Sequence, residues 1–241
     1  MTIEHAPEPA ANVASLDRST VRVGIIDDHG LISDTLSLVL NDRGFVAFGL
    51  RPTSFDEALA FVDDNGIDFV LIDLNLGELG LSLPLIASLR EKGRRVAVFT
   101  GDPSKPNWGA AIEAGASTVI SKADTFTELL DRVVQLLDDV VEQANVERYE
   151  LLESLRSHRE EERRRLAPFE LLTVREQEVL HALMLGMSAE EISSTMFVSM
   201  ATTRTHIRSI LLKLEVKSQL AAVALAVGAG WQAAAQAQAQ A

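Results

Sequence analysis

The sequence predicts two domains of different class: a doubly wound α/β domain on a five-stranded parallel sheet, then a smaller all-helical domain. Three observations predict this. Short apolar runs alternate with helical patterns over residues 21–140. Over residues 171–228 the strand-like runs stop and only helical spacing remains. Charge changes with them: residues 1–150 carry 25 Asp and Glu against 12 Lys and Arg, and residues 168–241 carry 6 against 5.

The chain has 241 residues and is 47% apolar, enough to bury a core in each of two domains. No apolar run reaches the roughly 18 residues of a membrane span. The first residues lack the basic-then-apolar order of a secretory signal, so a cytoplasmic protein is expected. With no cysteine, disulfides and thiolate chemistry are excluded. A net charge of −13 looks wrong for nucleic-acid binding, yet residues 200–217 hold Arg204, Arg208, Lys213 and Lys217 against Glu215 alone. Such a local stripe fits phosphate contact.

Residues 1–19, rich in Ala and Pro, read as a disordered lead-in. The first domain, 20–138, places strands at VRVGII (21–26), FVAFG (45–49), DFVLI (68–72), RVAVF (95–99) and STVI (117–120). Strands covered on both faces read as such near-continuous apolar runs. Helical patterns lie at 31–40, 55–62, 83–89 and 108–114, and a last helix starts near Thr125. Ser54/Glu57 and Thr125/Glu128 form capping boxes. In the linker, 139–168, the stripe Leu130, Val133, Leu137, Val140 and Ala144 continues past the domain, and Leu152 and Leu155 form a second stripe. The charged run RSHREEERRR follows, and Pro168 is expected to close the segment. Either a solvated linker helix or a short dimeric coiled coil fits this pattern. The helical domain, 169–229, carries two more boxes, Thr173/Glu176 and Ser188/Glu191. Residues 230–241 read as a low-complexity tail.

Doubly wound sheets bind ligands beyond the carboxyl ends of their strands, where the strand order switches. Asp27 and Asp28 end the first strand, Asp73 the third and Thr100 the fourth, and Lys122 follows the fifth. All fall at one sheet edge. Three carboxylates there can share a hard divalent cation, and Mg²⁺ suits oxygen ligands. The cation and Lys122 offset the like-charge cost. Asp73 could then attack a phosphoryl group, with Mg²⁺ and Lys122 stabilising the transferred oxygens and the Thr100 hydroxyl bonding the product.

Residues 21–138 resemble the receiver domain of two-component response regulators. The resemblance implies that Asp73 is the phosphoacceptor, that Asp27, Asp28 and the backbone carbonyl of Asn75 hold Mg²⁺ with it, and that Thr100 and Lys122 are the switch hydroxyl and phosphate-binding lysine. It also implies a sensor histidine kinase as partner. Two positions depart from the family's pattern: Gly77 stands where Pro is usual, and Val119 where an aromatic switch residue is usual. These departures bear on the output mechanism more than on phosphorylation.

The stretch LLTVREQEVLHALMLGMSAEEISSTMFVSMATTRTHIRSILLKLEVKSQLAAVALA resembles the LuxR-type helix-turn-helix of the NarL/FixJ class, with Val174 for a common Pro and Thr203 for a common Val. The residues themselves agree. Ser199 can cap a helix to about Lys213, with Thr203, Ile207, Ile210 and Leu214 as its core stripe. Ala201, Arg204, Thr205 and Arg208 share the opposite face, which a helix-turn-helix lays in the major groove of double-stranded DNA. Lys213 and Lys217 join them as candidate DNA contacts, and Glu176, Glu178, Glu190 and Glu191 are expected to face away. The histidines (His5, His29, His158, His181, His206) show no metal-ligand spacing.

Together these features predict a response regulator transcription factor, not an enzyme, that binds promoter DNA as a homodimer. Two alternatives stay open. One is a regulator that binds DNA without phosphorylation, gated by another ligand or partner. The other is a phosphohydrolase using Asp73, although Asn75 stands where such chemistry wants a second acid.

Overall fold

The computed structural model describes residues 20–123, 125–137 and 144–233. Segment 1–19, Asp124, residues 138–143 with Val140, the side chain of Ala144 and the tail after Ala233 lie outside the described residues. Compact units divide the chain between Arg156 and Ser157.

The first unit contains strands β1 (Arg22–Ile26), β2 (Val46–Leu50), β3 (Phe69–Asp73), β4 (Arg95–Thr100) and β5 (Val119–Ser121), and helices α1 (Gly30–Asp42), α2 (Phe55–Asp64), α3 (Leu83–Glu91), α4 (Lys105–Ala114) and α5 (Phe126–Leu137). All strand pairs are parallel, in the order β2-β1-β3-β4-β5. The order therefore reverses between β1 and β3. Successive residues of a strand point to opposite faces. Val23, Ile25, Phe69, Leu71, Ala97 and Phe99 join the core under α1 and α5. Ile26, Val70, Ile72, Val96 and Val98 join the core under α2, α3 and α4. Burial on both faces explains why the central strands read as continuous apolar runs. Thr125 and Glu128 form the expected reciprocal box. Ser54 caps α2, and the Glu57 carboxylate accepts from the Thr53 amide and hydroxyl.

Helix α6 (Ala144–Glu170) follows. Within the first unit, Leu151 is buried in the core beneath α4, with Leu152 packed against it. Leu155 is also buried. The second stripe therefore packs within the first unit, with Leu152 half-buried and Leu155 buried. Pro168 does not close the linker. It sits inside the last turn of α6, and Phe169 beyond it is buried in the second unit's core, which holds that turn in place.

The second unit holds α7 (Val174–Met184), α8 (Ala189–Thr195), α9 (Met200–Lys213) and α10 (Gln219–Ala229). Thr173 and Ser188 form full capping boxes with Glu176 and Glu191. Gly186 takes a left-handed φ of 83° between them. Trp231 stacks on Phe169 with ring centroids 5.3 Å apart, and Ala233 is buried beside the same core. The helical domain thus reaches Ala233, past the boundary expected at residue 229. Among the described residues no helix is long and apolar enough to cross a membrane.

Candidate functional site

The first site lies at the carboxyl edge of the sheet, at the reversal between β1 and β3. Asp27 follows β1 and is fully buried; Asp73 ends β3 and is nearly so. Lys122, just past β5, places Nζ 2.5 Å from Asp73 Oδ2 and 2.7 Å from Asp27 Oδ2. The same ammonium lies 4.4 Å from the centre of the Phe99 ring. Thr100, buried at the end of β4, is one residue past Phe99, the register partner of Asp73. The polar residues expected at one edge are therefore together.

Burial pushes the Asp73 carboxyl above its ordinary range; Lys122 opposes this, and Asp27 adds to it. The Asn75 amide donates to Asp73 Oδ1 at 3.3 Å, and the Asn75 side chain accepts from the Gly77 amide. Gly77 has φ +63°, which proline cannot adopt, and a Cβ there would approach Asp28 Oδ2 to 3.0 Å. The departure at Gly77 thus gives the loop a course that brings its backbone against Asp28.

Sequence reasoning set His29 aside. Its Nδ1 lies 2.7 Å from Asp28 Oδ1 and 3.3 Å from Asp27 Oδ1. Potential ligand atoms of Asp27, Asp28, His29 and Asp73 all fall within 4.8 Å of one another. The signal was adjacency to an acidic pair, which the spacing rules for histidine metal sites do not test. Asp28 Oδ1 is buried without a well-aligned hydrogen bond despite its contact with His29. Three carboxylates, one with such an oxygen, fit a hard divalent cation, with the His29 ring beside them.

The second site is the outer face of α9. Ser199 caps the helix by accepting from the Thr202 amide at 3.1 Å. Thr203, Ile207, Ile210 and Leu214 are buried; Ala201, Arg204, Thr205 and Arg208 are exposed. The Thr205 hydroxyl donates to the Ala201 carbonyl, so its remaining capacity is as an acceptor. Lys217 is exposed after the helix. Lys213 differs from its neighbours: its Nζ is 2.7 Å from Glu176 Oε2. Glu176 is buried between α7 and α9 and also accepts from Ser209 Oγ and from the Thr173 amide and hydroxyl. Burial alone would raise its carboxyl, but these donors outweigh it and hold the pKa at about 2. Lys213 is committed to this pair, and Glu176 faces the interior.

Two family models match the chain. The response regulator receiver domain covers residues 23–134, and the bacterial regulatory proteins of the luxR family cover residues 170–226. Among curated relatives, nitrate/nitrite response regulator protein NarP of Escherichia coli is 31% identical over 209 residues, 85% of this chain and 93% of the relative. A nitrate/nitrite response regulator protein homolog of Haemophilus influenzae is 29% identical over 85% of this chain and 95% of the relative. Response regulator protein VraR of Staphylococcus aureus is 26% identical over 85% and 95%.

Proposed function

Because this chain belongs to the response regulators, with a receiver domain followed by a LuxR-type DNA-binding domain, we propose that a sensor histidine kinase phosphorylates it on Asp73 and that α9 then reads promoter DNA. It is a transcription factor, not an enzyme. The observation that carries the first step is the convergence of Asp27, Asp73 and Lys122 on one point. A carboxylate oxygen of Asp73 attacks the phosphorus of the donor. The new O–P bond makes an acyl phosphate, the donor's N–P bond breaks, and the imidazole leaves with its electron pair. Lys122, already beside Asp73, offsets charge on the transferred oxygens. Asp27, Asp28, Asp73 and the Asn75 carbonyl would hold Mg²⁺, which supplies further charge neutralisation when bound.

Arg204, Thr205 and Arg208 are supported as base-edge or phosphate contacts by their shared exposed face, with Lys217 as a phosphate contact. Homodimerisation on paired half-sites is part of this reading. It is supported by exposed Leu220 and Val227, seven residues apart on one face of α10. A small phosphodonor with Mg²⁺ tests the acceptor. The parent should gain one phosphoryl group by intact mass, and Asp73→Asn none. Undiminished labelling of that variant would refute the assignment.

A further inference from the structure

Among the described residues, Phe197 is the most exposed large apolar side chain, at 96%. It stands in the turn between α8 and α9. Its backbone holds φ +54°, a left-handed conformation that glycine and asparagine take readily and a bulky side chain does not. Its neighbours Met196 and Val198 are half-buried, so the chain turns inward on either side of it. The turn is pinned. The Phe197 amide donates to the Ser194 carbonyl at 3.4 Å, and the Val198 amide to the Ser193 carbonyl at 3.0 Å. Ser199 then caps α9. Turning the ring into the core would break these bonds. Neither local backbone preference nor packing accounts for an aromatic residue here, and strain of this kind gathers at functional positions.

Its place in the fold supplies a role. Phe197 comes four residues before Ala201, the first member of the exposed face Ala201, Arg204, Thr205 and Arg208. A helix-turn-helix enters the major groove with the N-terminal residues of its second helix, while its first helix crosses the backbone. The turn between the two then lies at the rim of the groove. A phenyl ring offers no hydrogen bond there, but it can cover a thymine methyl group or deoxyribose carbons. Taking the ring and those surfaces out of water favours the contact.

We propose that Phe197 is a DNA contact that extends the reading face of α9 across the turn and binds through apolar surface instead of charge. This rests on α9 being the reading helix. The free protein carries the strain and the exposed ring, and only the complex buries the ring, so stability is exchanged for binding.

The test uses the full-length protein and a duplex that the parent selects from a random-sequence pool. Phe197→Gly removes the ring and the strain and adds no polar group. It should be at least as stable as the parent in urea, yet bind the duplex roughly tenfold more weakly. The slope of log affinity against log salt should not change, because no phosphate contact is lost. Phe197→Tyr should bind as the parent does. With uracil in place of thymine in the duplex, the parent's advantage over Phe197→Gly should vanish if the ring lies on the methyl group and persist if it lies on deoxyribose. A lower urea midpoint for Phe197→Gly would trace the ring to packing and overturn the proposal. Unchanged affinity overturns it too; if Arg204→Ala and Arg208→Ala still weaken binding, α9 remains the reading helix without Phe197. If the arginine variants also bind as the parent does, both readings fall. A change in sedimentation of Phe197→Gly with no change in DNA affinity assigns the ring to a second copy of the chain and likewise overturns the proposal.

Discussion

Glu176→Gln should destabilise the helical domain in a way that fades at low pH. The Glu176 carboxylate is almost wholly buried and accepts from Thr173, Ser209 and Lys213. Its pKa of about 2, against 4.5 ordinarily, means that folding favours the charged form. At about 1.4 kcal/mol per pKa unit, that gap corresponds to a ceiling of roughly 3 kcal/mol. Glutamine keeps the shape but loses the charge, and Lys213 keeps a half-buried ammonium with no carboxylate. A loss of about 2–3 kcal/mol at pH 7 is expected, below the ceiling because the amide oxygen still accepts one or two of the same bonds. The folded pKa lies below the unfolded one, so the carboxylate's contribution is complete above about pH 4.5 and is lost as pH falls toward about 2.

Urea unfolding in a Trp108→Phe background measures this directly, because the remaining Trp231 stacks on Phe169 in the core of the same domain. Parent and Glu176→Gln should be separated most at pH 7 and approach each other by pH 3. A separation under about 0.5 kcal/mol at pH 7, or one that stays constant down to pH 3, would refute the reasoning.

Lys213→Ala should lower stability and leave the salt dependence of DNA binding unchanged, whereas loss of a phosphate contact by Arg204→Ala or Arg208→Ala should reduce the salt slope by about one. Equal slopes for Lys213→Ala and the arginine variants would contradict this, and filter or fluorescence titrations across salt concentrations decide it. In metal-free buffer, Asp73→Asn should raise the melting temperature at pH 7 by roughly a few degrees, because burial and Asp27 disfavour the carboxylate there. The folded pKa is raised, so that penalty is present above it and vanishes as pH falls below about 3.8; calorimetry at pH 7 and pH 4 should show the gap narrowing. Phe197→Asn should stabilise the helical domain by about 0.5–1 kcal/mol, since Phe197 holds φ +54° while 96% exposed, and asparagine tolerates that conformation. A lower urea midpoint would count against it.

The polar edge of the sheet was legible because each of its residues follows an apolar run, and strand ends in a parallel sheet all face one crevice. Other features depended on distance in sequence. Glu176 already had a local role, closing a capping box as the third residue of α7, and nothing nearby asked for more. Yet a carboxylate has about four acceptor positions, and Ser209 and Lys213 fill the remainder from across the domain. Gly109 carried a readable anomaly, a glycine inside a helix, but its cause lies in Leu151. Trp231, alone beside an Ala-Gln repeat, was likewise a signal that the fold had not ended.

Lys122 and Lys213 show why residue type could not separate site from scaffold. Each is a lysine held by buried carboxylate, at 2.5 and 2.7 Å. Their partners differ in surroundings. Asp73 has burial and the neighbouring Asp27 acting against its charge, so its pKa rises, and a change at that carboxylate has electrostatic strain to relieve. Glu176 has donors from three residues and a pKa of about 2, so every alternative to the existing pair is worse. The first arrangement leaves a carboxylate that reaction can rearrange with Lys122 in attendance. The second fixes α9 to α7 and pairs Lys213, which the sequence placed in the basic stripe, with Glu176.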